Sequence, residues 1–137
     1  FMVNDTKIST VISFEGSFQR YIRNSVLDGA ELVVILTNQA SYGESGMSDQ
    51  FILMSRANAI SNERPIVHAA ITGKSAFIDH NGKVISKTEL FETMTLNEKL
   101  EVRQTETPYS KHGNYLNYIF IIFGALTFVR RFIRPVD

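Results

Sequence analysis

The chain has 137 residues, with 14 Lys and Arg set against 14 Asp and Glu and a formal net charge of zero. That balance excludes a strongly basic nucleic-acid binder and an acidic solvating tail, and 44% hydrophobic against 20% charged residues argues against wholesale disorder. The length holds one domain with a core, and the absence of cysteine removes disulfides, thiolate metal sites and a cysteine nucleophile.

No secretory leader pattern follows Phe1-Met2. Ile8–Ile12, rich in β-branched residues, reads as a strand, broken by Glu15-Gly16-Ser17. Phe18, Tyr21, Ile22, Val26 and Leu27 recur at helical spacing, which predicts a helix over 18–28 with Ser17 as its cap and Gly29 just past its end. Glu31–Leu36 is a continuous apolar run of strand length. Strand, helix and strand with short joints predict a βαβ-like unit in a sheet buried on both faces.

Thr37–Met47 is a polar, glycine-containing loop at the end of that second strand, where open α/β sheets bind ligands. Ser48-Asp49 reads as an N-cap, and Leu53, Met54, Ala57 and Ile60 make the apolar face of the helix that follows. Pro65 stops that helix. Pro65–Ala70 and Ser75–Ile78 are strand-like, joined through Thr72-Gly73. Asp79-His80-Asn81-Gly82 is a hairpin turn, Lys83–Ser86 returns from it, and Leu96–Val102 reads as a last strand.

Beyond Thr107-Pro108 the composition changes. Tyr115–Val129 holds only Asn117 and Thr127 as clearly polar residues, and Arg130, Arg131 and Arg134 follow. A membrane span needs roughly 20 apolar residues, with a lower limit of about 17. The run is slightly short unless flanking side chains snorkel. Tyr115 and Tyr118 sit at one end as an aromatic belt, and the arginines sit at the other as a positive-inside signal. The expectation is a membrane helix with the folded part outside the cytoplasm. A buried or amphipathic terminal helix is the alternative.

Ser13-Phe14-Glu15 closes the first strand, at a strand-to-helix turn of the kind where α/β enzymes expose a nucleophile. From pattern alone, an ordinary strand end with a Ser and a Glu near the helix start is the favoured reading. The histidines, His68, His80 and His112, are spaced for no metal motif. No Walker, G-x-G-x-x-G or H-E-x-x-H motif occurs, and Glu44 between Gly43 and Gly46 argues against a phosphate cradle. No cofactor and no metal is expected. Arg130–Arg134 could in principle bind nucleic acid, but no other basic face accompanies it, so no nucleic-acid partner is expected.

Taken together, these segments resemble the C-terminal half of the carbon–nitrogen hydrolase (nitrilase) domain, and more closely the bacterial apolipoprotein N-acyltransferases. V-I-S-F-E (Val11–Glu15) resembles the family's I-C-Y-E nucleophile strand. D-G-A-E-L-V-V-I-L-T-N-Q-A-S-Y-G (Asp28–Gly43) resembles its G-A-x-x-L-V-x-x-T-N-x-A-x-F-G segment. Q-F-I-L-M-S-R-A-N-A (Gln50–Ala59) and E-R-P-I-V-H-A-A-I-T-G-K-S-A-F-I-D (Glu63–Asp79) resemble its next helix and its R-P…T-G-x-S-A-x-I-D strands. T-P-Y-S-K-H-G-N (Thr107–Asn114) resembles the acyltransferases' junction with their last membrane helix.

The resemblance implies an α/β fold: the C-terminal half of a nitrilase-like α-β-β-α sandwich over residues 1–110, one transmembrane helix over 115–132 and a cytoplasmic tail over 133–137. It implies a cell-membrane protein that is multi-pass in its full length, with a phospholipid acyl donor, an apolipoprotein acceptor and the nitrilase-like domain on the extracytoplasmic face. A Cys thiolate takes the acyl group, a Glu is the general base and a Lys stabilises the oxyanion. The nucleophile falls on Ser13, the oxyanion donor on the backbone of Phe14, and a supporting acid on Glu15. The substrate loop falls on Asn38, Ala40, Ser41, Tyr42 and Gly43, with Ser41 where many members carry Trp. The base and the Lys lie upstream of the nucleophile strand in the family, and no residue here matches them. The chain therefore reads as a fragment or degenerate copy, inactive by itself, needing the missing N-terminal half of the domain or a partner chain. A membrane-anchored amidase and a catalytically silent lipid- or partner-binding pseudoenzyme are the alternatives.

Overall fold

The computed structural model describes residues 1–133. A short edge strand β1 (Met2–Val3) pairs antiparallel with β2 (Thr6–Ile12). A 3-10 turn (Ser13–Ser17) leads into α1 (Gln19–Leu27) and then β3 (Leu32–Asn38). A second 3-10 turn (Ala40–Tyr42) precedes α2 (Met47–Asn62). Strands β4 (Ile66–Ile71), β5 (Ala76–Ile78) and β6 (Val84–Lys87) follow, then α3 (Pro108–His112) and α4 (Tyr115–Ile133).

The strands form a single sheet in sequence order, β1 to β6. Its centre, β2–β3–β4, is parallel, with Val11 opposite Ile35 and Ile35 opposite His68. The parallel pairs are joined by α1 and α2, as the βαβ reading expects. Both helices pack on one face. Ile22 of α1 and Ile52 and Ala59 of α2 meet Val11, Val33, Ile35 and Ile66 in the core. Gly29 takes φ +90° after α1, and the Asp79–Gly82 turn closes the β5–β6 hairpin with Gly82 at φ +77°.

Among the described residues, no helical layer covers the other face of the sheet. Ile12, Leu36 and Ile71 are 64%, 45% and 65% exposed on it. The expectation of a sheet buried on both faces is therefore corrected. The open face is what half of a two-sheet sandwich leaves, because its apolar side needs a second sheet.

Several local readings also change. Leu96–Val102 forms no strand. This part of the chain is held instead by side chains: Arg103 pairs with Glu63 at 3.7 Å, and the Thr105 carbonyl accepts from Arg64 Nη1 at 2.6 Å. Leu53, Met54, Ala57 and Ile60 face outward, and α2 buries Phe51, Ile52, Ser55, Asn58, Ala59 and Asn62. Ser55 reaches His68, Asn58 Nδ2 reaches the Gly16 carbonyl and Asn62 Nδ2 reaches the Asn58 carbonyl, so the expected apolar stripe is not the buried one. Ser17 caps nothing: α1 begins after Phe18, and Ser17 Oγ is buried without a hydrogen-bond partner among the described residues. The start of α2 lies at Gly46, and Ser48 turns its hydroxyl inward.

Thr107 caps α3 by accepting from the Ser110 N–H at 2.9 Å, and donates to the Ser61 carbonyl at 2.5 Å. Arg23 of α1 donates to the Tyr109 and Lys111 carbonyls at 3.1 and 2.8 Å. Thus α3 is pinned to both core helices. The expected span over 115–132 is a helix, but among the described residues no helix is long and apolar enough to cross a membrane. The physical reason is length. Between Asn117 and Arg130 the apolar run covers Tyr118–Val129, about 18 Å of helix against a hydrocarbon core of about 30 Å. Arg134 and the rest of the expected tail lie outside the described residues.

Candidate active site

The end of β2 is strained. Ser13 adopts φ +57°, a left-handed conformation that costs a non-glycine residue about 1–3 kcal/mol and persists only where the surroundings enforce it. Three contacts enforce it. Glu15 Oε2 accepts from the Ile12 N–H at 3.3 Å, folding the turn back on the strand. Gly16 is buried against β3, where a Cβ would stand 2.5 Å from Ile35 Cγ2. The Gly16 carbonyl accepts from Asn58 Nδ2 of α2 at 2.9 Å. The turn is therefore gripped from β3 and α2 while Ser13 itself stays exposed.

Ser13 opens onto an apolar groove of about 520 Å³ at the C-terminal ends of β2, β3 and β4. Ile12, Leu36, Asn38, Ile71 and Ser75 line it with Ser13. This is the position at which open parallel sheets bind ligands. The buried Phe51 of α2 joins the turn to the next loop. Its ring lies 6.1 Å from that of Phe14 and 5.7 Å from that of Tyr42.

The 38–43 loop is held from below. Asn38 Oδ1 accepts from the Ala40 N–H at 3.0 Å, a local turn. Gln39, only 2% exposed, accepts from Ser48 Oγ and lies with Nε2 3.2 Å from His68 Nε2. His68 Nδ1 lies 3.0 Å from Ser55 Oγ. Burial lowers the pKa of His68 to about 4, so the ring is neutral at ordinary pH. With Ser48 donating to Oε1, the Gln39 amide donates to His68 Nε2 and the ring proton sits on Nδ1, toward Ser55.

Of the sequence-predicted residues, Ser13 and Asn38 share the groove. Phe14 and Tyr42 meet through Phe51. Glu15 braces the turn through Ile12 rather than facing the groove. Ala40, Ser41 and Gly43 lie on the exposed loop and do not line the groove with Ser13. The buried group of Gln39, Ser48, Ser55 and His68 was not anticipated. Its signal is a stripe of small polar residues, Ser48, Ser55, Asn58 and Asn62, at helical spacing along α2.

The strained turn after a parallel strand, over a groove at the sheet's C-terminal edge, fits one class of α/β enzyme. The chain belongs to the carbon–nitrogen hydrolase family, whose model matches residues 1–107. Within that family its relatives are apolipoprotein N-acyltransferases. It is 32% identical to the one from Geobacter metallireducens (strain ATCC 53774 / DSM 7210 / GS-15), over 91% of this chain and 25% of that protein. It is also 32% identical to the one from Mycolicibacterium smegmatis (strain ATCC 700084 / mc(2)155), over 86% of this chain and 20% of that protein. The chain thus spans about a quarter or less of the length of these curated relatives. In fold it is similar to a carbon–nitrogen hydrolase from Helicobacter pylori G27, with TM-score 0.57 at 14% identity over 66% of this chain and 39% of that one. An amidase from Nesterenkonia sp. gives TM-score 0.56 at 17% identity over 66% of this chain and 36% of that one.

Proposed function

We propose that this chain is the C-terminal part of a membrane-bound N-acyltransferase that moves an acyl chain from a phospholipid to the N-terminal amine of a diacylglyceryl-cysteine lipoprotein. The observation that carries the reading is Ser13. The resemblance puts the family's nucleophile at this position, and supporting it, Ser13 is left-handed at φ +57° on the wall of an apolar groove. In the first step Oγ attacks the phospholipid ester carbonyl, its proton goes to a base, and the lysophospholipid leaves as the alcohol. In the second step the lipoprotein amine attacks the acyl-enzyme, an amide forms, and the oxygen of residue 13 takes back a proton. The Phe14 N–H, in the first turn of a 3-10 segment, is the oxyanion donor of this reading.

The base and the oxyanion Lys belong upstream of this chain. A serine hydroxyl is far less acidic than a thiol, so the chain alone is inactive. The boundaries at 1–110 and 115–132 and the extracytoplasmic placement of the domain are part of the same reading. What supports membrane contact is α4, whose side chains from Tyr118 to Val129 are exposed on every side. A helix apolar all round rests in lipid or against protein.

The test is a chimera in which this chain replaces the matching quarter of the Geobacter metallireducens relative, with Ser13 and with Ser13→Cys. Labelled phospholipid and a diacylglyceryl peptide are supplied. The expected result is triacylated peptide from the Cys form, and a rate roughly 100-fold or more lower from the Ser form. A membrane-inserted, protease-resistant Cys chimera that makes no product overturns the reading.

One observation favours a second reading, a silent lipid-binding relative: the nucleophile position carries Ser13, whose hydroxyl is far less acidic than a thiol. Lipid retained without covalent acylation, in both forms of the chimera, selects it.

A further inference from the structure

We propose that Gln39, locked in place by His68, is a positioning residue for the rim of the active site. It ties the 38–43 loop to the Thr72–Gly73 turn and to α2, and so fixes two loops at the same C-terminal edge of the sheet as Ser13. The inference rests on the placement of the site at Ser13.

Gln39 lies between two exposed residues, Asn38 and Ala40, yet is itself buried. Its backbone N–H donates to the Ile71 carbonyl at 3.1 Å, which extends the β3–β4 ladder by one residue past Asn38. Its side chain passes beneath the neighbouring turn. A Cβ on Gly73 would stand 2.0 Å from Gln39 Oε1, so only glycine lets the turn close over the amide. Ser48, at the start of α2, fills the amide oxygen, and His68 of β4 receives the amide N–H. One side chain therefore joins four pieces of chain at the C-terminal edge of the sheet.

His68 is the part of this arrangement that can be varied cleanly. The groups facing it are Gln39, Ser55, the Phe51 ring at 6.4 Å, and its strand neighbours Ile35 and Ala76. None of them is charged, and the ring acts as a neutral acceptor at Nε2. Glutamine at this position still offers an oxygen to the Gln39 amide. Phenylalanine fills similar space and offers none, leaving a buried donor unpaired.

Backbone hydrogen exchange of the full chain, dispersed in detergent, tests the proposal without reference to activity. In His68→Phe the amides of 38–43 and 72–74 exchange about tenfold faster or more, while the β3–β4 centre keeps its protection. In His68→Gln both loops stay close to native. The native ring's nitrogen shifts at pH 7 report the neutral Nδ1–H form. Equal loop protection in His68→Phe and native overturns the proposal. So does a His68→Gln form as fast as His68→Phe, or a loss spread evenly over the chain.

Should His68→Phe fail to fold, Gly73→Ala, which forces the turn off the amide, is read in the same way. In the Ser13→Cys chimera, His68→Phe lowers kcat about tenfold with KM little changed, and His68→Gln restores it. A chimera silent in all forms counts against the acyl-transfer reading, while the exchange data still decide this one.

Discussion

Ser13 holds a conformation that its side chain disfavours, and Glu15, Gly16 and Asn58 hold it there. The cost belongs to the folded state, so removing the side chain recovers part of it. Ser13→Gly raises stability by about 0.5–1 kcal/mol, the left-handed cost less the larger entropy that glycine loses on folding, while deleting the hydroxyl proposed to accept the acyl group. Denaturant melts of the two forms measure this, and an unchanged or lower midpoint shows that the turn stores no strain. The strand end at Ser13 was legible in the sequence because a β-branched run stops at Phe14-Glu15-Gly16. The left-handed backbone was not legible. It is imposed by Ile35 and Asn58, residues 22 and 45 positions from Ser13 along the chain.

At the scale of elements, α2 shows where periodicity misleads. Its apolar residues Leu53 and Ile60 are each 56% exposed, while Ser55, Asn58 and Asn62 are buried. A helix that must grip a turn at Gly16 and a histidine in β4 spends its inner face on polar side chains. The apolar count along the chain cannot reveal that exchange, because the partners lie in other elements. The strand expected at Leu96–Val102 does not form: Asn97-Glu98-Lys99 interrupts its apolar residues, and among the described residues no strand of the sheet pairs with it. The buried network carries a pH dependence of known sign. Burial depresses the folded pKa of His68 from 6.5 to about 4, so the unfolded chain binds more protons in that window. The stabilising effect of the neutral ring is complete above about pH 6.5 and is lost as pH falls toward 4. The loss is about 3 kcal/mol. Melts of the native chain between pH 7 and 4, set against His68→Gln, isolate it. Parallel curves for the two forms refute the assignment.

For the molecule as a whole, the open face of the sheet is the dominant physical fact. Ile12, Leu36 and Ile71 project from three adjacent parallel strands with no helix over them, although the opposite face is packed. Exposed apolar surface of this kind drives association with whatever apolar surface is offered. The sandwich that the family resemblance implies would place a second sheet there, and the chain spans only about a quarter of the Geobacter relative. Isolated in detergent enough to disperse α4, the 137-residue chain should therefore self-associate. Replacing Leu36 and Ile71 together by Thr, which suits a strand but removes the apolar patch, should shift it toward monomer without disturbing the core on the other face. Sedimentation velocity at several concentrations reads the change. A native chain that sediments as a monomer and melts cooperatively would mean that this face is stable in water, and the half-sandwich reading would fail. Association relieved by the double substitution would place the cause on this face rather than on α4. The surface that needs covering would then be the one bordering Ser13, because Leu36 and Ile71 wall the same groove. On that outcome, completing the fold and completing the site proposed at Ser13 are one event, because the same apolar wall serves both.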